Sequence, residues 1–308
     1  MAVRIFKNSE HQALFDKQGF IVLPFLTTSE IQDLEAFFDQ THPNLHNNGF
    51  FSDSYHPDYN YKKLASEKIV HVFSRAYESY FTNYTPFGGA FLYKTPGQQS
   101  ELAAHQDWTI VDETQHVALN CWVPLCDINE TNGSLMILPG SHFQNYPSLR
   151  CPTLPFFFSG HEDIIHQNLI PFHVKAGTAI ILNQSVIHYS LPNRSNAVRK
   201  AITAGIKSFG AQMYFHYKVP DLDLLEIFKE EDSFLIQFEN FATDIMERPK
   251  LGEKVGEKPY TSPRFTKSEI NSLIQSMRLK AGFDFVPLPP TQAPASNLFS
   301  RLKNWIAR

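Results

Sequence analysis

The 308-residue sequence is short of cysteine, of positive charge and of long apolar runs, and each shortage excludes something. Its 3 Cys, at Cys121, Cys126 and Cys151, form an odd set without CxxC spacing. That argues against both a disulfide framework and a thiolate zinc site, and it fits a reducing, cytoplasmic setting. No run of about 18 apolar residues occurs, so no transmembrane segment is expected. The opening MAVRIFKNSEHQALF lacks the apolar h-region of a secretory signal. With 27 Lys+Arg against 31 Asp+Glu the formal net charge is −4, which gives no general attraction to phosphate backbones. Nucleic acid is therefore not an expected partner. No period of about 20–50 residues repeats, which sets aside solenoids and propellers.

What the chain does hold is apolar bulk: 43% of residues are hydrophobic and 14% aromatic, with 27 Phe. That is ample for a buried core over most of its length. GFIVLPFL (19–26) reads as a short strand, and TTSEIQDLEAFFDQ as the helix after it. In that helix Thr27 and Glu30 have capping-box spacing, and Ile31, Leu34, Phe37 and Phe38 form one apolar stripe. A second helix is expected over 62–81, where Ile69, Phe73, Ala76, Tyr77 and Tyr80 recur at helical intervals. From about 87 to 217 the texture changes to short apolar runs broken by Gly, Pro and Asn, the pattern of a sandwich or small barrel. Helical patterning returns over 218–286, with DLDLLEIFKEEDSFLIQFENF and TKSEINSLIQSMRLKAGF as the candidates.

The expected architecture is mostly β with flanking helices, one domain over 1–285 whose core covers about 87–217. VPLPPTQAPASN continues it with linker composition over 286–297. The tail LFSRLKNWIAR (298–308) has the pattern of a basic amphipathic helix. Such a helix either packs back on its own domain or docks on a membrane surface or a partner protein.

The stretch HQDWT (105–109) carries the chemistry. Residues i and i+2 of a strand share a face, so His105 and Asp107 are expected to converge while Gln106 faces away. With thiolates absent, an imidazole and a carboxylate call for another nitrogen or oxygen donor, and a second imidazole completes a two-His, one-carboxylate set for Fe(II). His188 ends the run AIILNQSVI, and Arg199 stands at the head of KAITAGI. If those runs pair antiparallel through LPNRSNAV, the ligand and the guanidinium face one cavity. The fork of Arg199 suits bidentate capture of a carboxylate, and Ser190, two residues after His188, adds a hydroxyl. An anionic co-ligand beside the metal is implied.

The order His105-x-Asp107, NETNGSLMILPGSH (129–142), His188, Ser190, PNRS (192–195) and Arg199 resembles the phytanoyl-CoA dioxygenase (PhyH) family of Fe(II)/2-oxoglutarate oxygenases. The opening GFIVLPFLTTSEIQDL (19–34) is similar to that family's first strand and helix, and the resemblance covers roughly 15 to 207. It implies a double-stranded β-helix core (jelly-roll, cupin-like) in which His105, Asp107 and His188 bind Fe(II) and form the catalytic centre. It further implies that Arg199 and Ser190 bind the distal carboxylate of 2-oxoglutarate and that Trp122 lines the co-substrate pocket; Lys94 in FLYKT either reaches the co-substrate as well or stands as an exposed lysine at a strand end. The implied activity uses O2, releases succinate and CO2, and hydroxylates a substrate carbon. Halogenating relatives carry a small residue where this chain has Asp107, which favours hydroxylation; desaturation and ring formation stay open.

The expected substrate is a small or amphipathic molecule of specialised, natural-product, amino-acid or lipid metabolism, since no Lys/Arg cluster for a CoA 3′-phosphate stands out. Two other readings compete: a zinc-type cupin hydrolase or isomerase that does not use 2-oxoglutarate, and a non-catalytic β-helix that binds a ligand or a partner. Arg199 and Ser190 speak against the first, and the complete ligand set against the second. Among the remaining residues, His116, His142, His161, His166 and His173 read as structural, with His142 ordering a turn. Gly133 and Gly140 suit turns of positive φ. Trp108 belongs either to a pocket wall or to the core. Asp112, Glu113 and Tyr93 are near enough in sequence to meet a polar substrate group, and Tyr55, His56 and Tyr61 lie in a loop of the kind that closes over a pocket.

Overall fold

A computed structural model describes residues 3–45, 48–143 and 149–283. The linker expected at 286–297 and the tail helix expected at 298–308 lie outside the described residues. The strands are β1 (Phe20–Pro24), β2 (Phe50–Ser52), β3 (Tyr84–Lys94), β4 (Leu102–His105), β5 (Ala118–Pro124), β6 (Leu135–Ile137), β7 (Ile170–Phe172), β8 (Thr178–Asn183), β9 (His188–Ser190), β10 (Arg199–Ser208), β11 (Met213–Lys218), β12 (Leu224–Glu230) and β13 (Glu253–Pro259). The helices are α1 (Ser9–Gln18), α2 (Thr28–Thr41), α3 (Tyr59–Tyr80), α4 (Glu162–His166), α5 (Phe234–Gln237) and α6 (Lys267–Ala281).

A major antiparallel sheet runs β1-β8-β5-β10-β3-β2, and a minor one runs β4-β9-β6-β7. Among the described residues the two sheets do not close into a barrel, so the core is a jelly-roll of two layers. Period-two alternation sorts its side chains. Ile202 of β10 and Cys121 of β5 point outward into a core shared with Leu34, Phe38 and Phe73 of α2 and α3. Trp122, Ile180 and Ala201 point inward, against Leu135 and Ile137 of the minor sheet. The helical layer comes close to the sheet at Gly89, where a Cβ would sit 3.2 Å from the Ser66 carbonyl of α3.

The expected N-terminal elements form as read. The Thr27 side chain accepts the Glu30 N–H and the Glu30 carboxylate accepts the Thr27 N–H, which starts α2 with a complete capping box. The same device, Thr266 with Glu269, starts α6 inside the second C-terminal candidate.

The first C-terminal candidate folds differently from expectation. Most of DLDLLEIFKEE is β12, which pairs with β11 so that Phe215 faces Phe228 and Lys218 faces Leu225. Leu224, Leu225, Ile227 and Phe228 lie at spacings that also fit a helix, and glutamate favours helices. Cross-strand apolar pairing decides the outcome. The sheet β11-β12-β13 then carries Phe215 into a cluster with Trp108, Phe234, Phe238 and Phe241, which walls one side of the site. No helix among the described residues is long and apolar enough to cross a membrane.

Candidate active site

The site forms where the minor sheet faces the major one. His105 is the last residue of β4, and it stands opposite His188, the first residue of β9. Their ring centroids are 4.2 Å apart. His105 Nδ1 lies 2.7 Å from the Ala103 carbonyl and His188 Nδ1 lies 3.0 Å from the Val186 carbonyl. A carbonyl oxygen only accepts, so each Nδ1 carries the proton and each Nε2 keeps a lone pair for a metal. Burial, then the neighbouring His188, pushes His105 down to about 4, so its ring is neutral at pH 7.

Asp107 does not share a strand with His105. The strand ends at His105, and Asp107 sits in the irregular segment that follows. Its carboxylate nonetheless reaches the imidazoles: Oδ1 is 3.9 Å from His188 Nε2. One donor atom from each of His105, Asp107 and His188 lies within 4.8 Å of the others, the sole group of this kind among the described residues. Nitrogen and carboxylate donors without sulfur suit a non-heme divalent ion. Gln106 does not face away either; it lines the same cavity, is buried, and its Nε2 donates to the Ser185 carbonyl at 2.6 Å.

The carboxylate is held from outside by residues that sequence reasoning passed over. Asn120 Nδ2 donates to Asp107 Oδ2 at 3.1 Å, and the Thr203 hydroxyl donates to Asn120 Oδ1. Arg150 Nε donates to the Asp107 backbone carbonyl at 2.8 Å while its Nη1 donates to Glu113 at 2.9 Å. A signal for Asn120 was available: it lies two residues before Trp122 in VALNCWVPL, hence on the same inward face of an otherwise apolar strand.

Arg199 opens β10 in the major sheet and is 2% exposed. Its Nε and Nη1 are buried with no hydrogen-bond partner among the described residues, and its Cζ sits 5.5 Å from the Trp122 ring centroid. Burial lowers its pKa to about 10, so the cation persists at neutral pH without an internal counter-charge. A buried charge of this kind is costly until an anion meets it. Arg199, Trp122, Ser190 and the His105/Asp107/His188 group all line one cavity of about 420 Å³. The Ser190 hydroxyl donates to the Gly133 carbonyl at 3.4 Å.

The route by which Arg199 meets His188 differs from the expected hairpin. The run 178–190 breaks into β8 of the major sheet and β9 of the minor sheet, and β10 pairs with β3 and β5. Ligand and guanidinium therefore face each other across the gap between the two layers. Lys94 also stands elsewhere than expected. Its ammonium donates to the carbonyls of Ser190 at 3.0 Å and Leu191 at 2.6 Å, and the side chain is absent from the cavity lining. Gly133 packs against it: φ is 88°, and a Cβ would come within 2.9 Å of the Leu191 carbonyl.

Trp108 serves both roles weighed for it, lining the cavity while stacking on Phe241 at 5.2 Å. Tyr55 lines the cavity, with its phenol pushed up to about 12 by burial and then by the Asp107 charge. Tyr61 instead donates to Asp53 Oδ2 at 2.6 Å, and His56 packs on the Tyr61 ring at 4.5 Å. Glu113 is bound to Arg150, Asp112 accepts from the Thr114 hydroxyl at 2.6 Å, and Tyr93 stacks on Phe51 in the core. His142 and His161 are tied to the carbonyls of Asp16 and Phe265, and His166 packs edge-on against Tyr189.

Residues 15–201 match the profile of the family described as phytanoyl-CoA dioxygenase (PhyH). Over 121 residues, 37% of this chain, the sequence is 33% identical to phytanoyl-CoA dioxygenase domain-containing protein 1 of Danio rerio, covering 41% of that protein. It is 26% identical over 143 residues to phytanoyl-CoA dioxygenase 1 of Oryza sativa subsp. japonica, covering 44% of this chain and 51% of that one. The chain thus spans about half the length of the curated relatives it matches or less. A crystal structure of SnoK, a non-heme alpha ketoglutarate dependent carbocyclase from nogalamycin biosynthesis, superposes with a TM-score of 0.51 at 15% identity. It covers 67% of this chain and 86% of that one, a likeness of fold.

Proposed function

The chain belongs to the phytanoyl-CoA dioxygenase family, and from that premise we propose that it is an Fe(II)/2-oxoglutarate-dependent oxygenase with His105, Asp107 and His188 as the metal ligands. The observation that carries the reading is Arg199, a buried guanidinium with unpartnered nitrogens that faces the same cavity as the three ligands. A hydrolytic zinc site has no use for such a group. A keto acid bound at the metal through one end needs a cation for its far carboxylate, and Arg199 supplies a planar fork of donors there.

Iron bound with 2-oxoglutarate supplies O2 activation, coupling oxidative decarboxylation to succinate and CO2 with oxidation of a substrate C–H bond. The protein's own residues set the conditions. The Ala103 and Val186 carbonyls fix the tautomer of each histidine, so both Nε2 atoms face inward. Asn120 holds Oδ2 of Asp107, which leaves Oδ1 turned toward the histidines. Ser190 offers a hydroxyl beside the seat of the distal carboxylate, and Trp122 lies against the guanidinium, fixing its plane. The aromatic wall of Trp108 and Phe241 limits water where the substrate carbon is oxidised. With a carboxylate at position 107, hydroxylation is the favoured outcome.

The test is succinate formation from 2-oxoglutarate by purified protein supplied with Fe(II) and ascorbate, together with the visible charge-transfer absorbance that 2-oxoglutarate develops at Fe(II) under anaerobic conditions. Both signals are expected in the wild type, and both are expected to vanish in His188→Ala and Asp107→Ala. Signals that persist in those variants, or a wild type that binds no 2-oxoglutarate in the presence of Fe(II), overturn the reading.

A further inference from the structure

The cavity holds a second unpartnered cation whose charge the oxygenase reading does not use. Lys62, in the first turns of α3, is 6% exposed and lines the same cavity as the metal ligands. Among the described residues no ion pair or hydrogen bond engages its ammonium group. Asp53, the acid nearest in the lining sequence, is already committed: Oδ1 faces His42 Nε2 at 3.1 Å and Oδ2 accepts from the Tyr61 hydroxyl at 2.6 Å. Burial is the sole cause that lowers the Lys62 pKa, which agrees with the lack of a neighbouring charge. A lysine that is buried along most of its side chain and lines a cavity with its ammonium unpartnered offers that charge to an anion from outside the chain.

Among the described residues three cations line the cavity: Lys62, Arg150 and Arg199. Arg150 is neutralised by Glu113 and bonded to the Asp107 backbone carbonyl. Arg199 faces the co-substrate seat. Among the described residues that leaves one positive charge for the substrate, in a cavity that Trp108, Phe241, Phe87, Leu235, Ile245 and Met246 also line. One charge balances one carboxylate. It does not balance the several phosphate charges of a CoA thioester, in which the carboxyl group is masked as well.

We propose that Lys62 is the substrate anchor, and that the substrate is a free carboxylic acid with an otherwise apolar body, its carboxylate paired to Lys62 and its carbon skeleton laid along the aromatic wall. The proposal rests on the oxygenase reading for the assignment of Arg199 to the co-substrate. A cavity of about 420 Å³ is of a size for a molecule of this kind.

The test uses two matched probe sets, dodecanoate with dodecanol, dodecylamine and dodecanoyl-CoA, and 2-naphthoate with 2-naphthamide. Each is titrated calorimetrically into the full chain loaded with Zn(II) and 2-oxoglutarate, so that nothing turns over. In at least one set the wild type is expected to bind the acid about ten-fold more tightly than its neutral counterpart, the size of effect a charge-assisted hydrogen bond gives. Lys62→Met is expected to erase that preference, Lys62→Arg to keep it, and Lys62→Glu to transfer it to dodecylamine. Dodecanoyl-CoA is expected to bind no more tightly than dodecanol. Absence of an acid preference in both sets, its persistence in Lys62→Met, or tighter binding of the CoA ester than of the free acid overturns the proposal. Metal-dependent binding of 2-oxoglutarate is titrated separately in the same instrument. If that binding fails while the Lys62-dependent preference holds, the oxygenase reading falls and the anchor stands.

Discussion

Lys94 and Arg199 stand directly opposite each other in the register of β3 and β10, two buried basic side chains on one face of the major sheet, and burial, then Arg199, holds the Lys94 amine well below its usual pKa. Like charges placed so destabilise a fold unless each finds its own compensation. Lys94 donates to two backbone carbonyls, while Arg199 lines the cavity with two buried nitrogens that have no partner among the described residues. On the proposed function the pair divides its labour between structure and ligand, and substitutions should separate the two.

Arg199→Met should raise the apparent KM for 2-oxoglutarate by about 10-fold or more, the cost of losing a charged hydrogen-bonding partner. Arg199→Lys should recover part of that loss but not all, since an ammonium lacks the planar fork. The distinguishing readout is thermal. Without ligand, Arg199→Met should melt no lower than the wild type, because it removes a buried uncompensated charge. The further melting-temperature rise that 2-oxoglutarate adds to the metal-loaded wild type should shrink, while the rise given by metal alone should stay.

Lys94→Met should behave in the opposite way. Two carbonyls at Ser190 and Leu191 lose their donor, and urea denaturation should show a loss of about 1–3 kcal/mol. The KM for 2-oxoglutarate should move less than in Arg199→Met.

Asn120→Ala should weaken metal binding by about 10–100-fold, the usual range for removing a residue that orients a ligand. Isothermal titration with Fe(II) under anaerobic conditions measures it. The melting temperature should change little by comparison, because Asn120 hydrogen-bonds Asp107 and Thr203 at the rim of the site and does not pack in a core cluster.

Glu230 gives the stability a pH dependence of its own. Burial, then Glu231, raises its pKa to about 7, and its Oε1 is buried without a partner among the described residues. A carboxyl whose folded pKa lies above its unfolded value is protonated more readily in the folded state. Stability from this group is thus complete below about 4.5 and is lost as pH rises through about 7. Glu230→Gln should stabilise the protein at pH 8 by on the order of 1–3 kcal/mol and have little effect at pH 4.5. Paired denaturation curves at the two pH values check it.

The His105, Asp107 and His188 group that the fold brings together was legible because chemistry restricts it: an imidazole and a carboxylate separated by one residue, a later imidazole, and an arginine beyond that leave few other readings. Helices α2 and α3 were legible because capping and apolar periodicity are local, whereas the short α1 was not read. What the sequence hid was long-range. The eleven-residue step from His188 to Arg199 fits a hairpin as well as a crossing between layers, and only the pairing partners of β9 and β10 decide which. Asp107 was placed on a strand by its spacing alone, whereas the chain leaves the ladder at His105 and still returns the carboxylate to the same point. Lys94 drew attention as a cation near the site, but the backbone carbonyls that take its charge belong to residues about a hundred positions later. Segment 224–230 shows the other limit: leucine, isoleucine and glutamate suit a helix in isolation, and the neighbouring strand overrules them.

β9 is three residues long, yet it delivers His188 from one end and Ser190 from the other, flanked by β4 and β6. Displacing it by a single position would put Tyr189 where a donor belongs and retire both of its contributions at once. Descendants of this protein can thus shed either contribution only by exchanging a side chain, and drift of the backbone has no gradual path to a half-working centre.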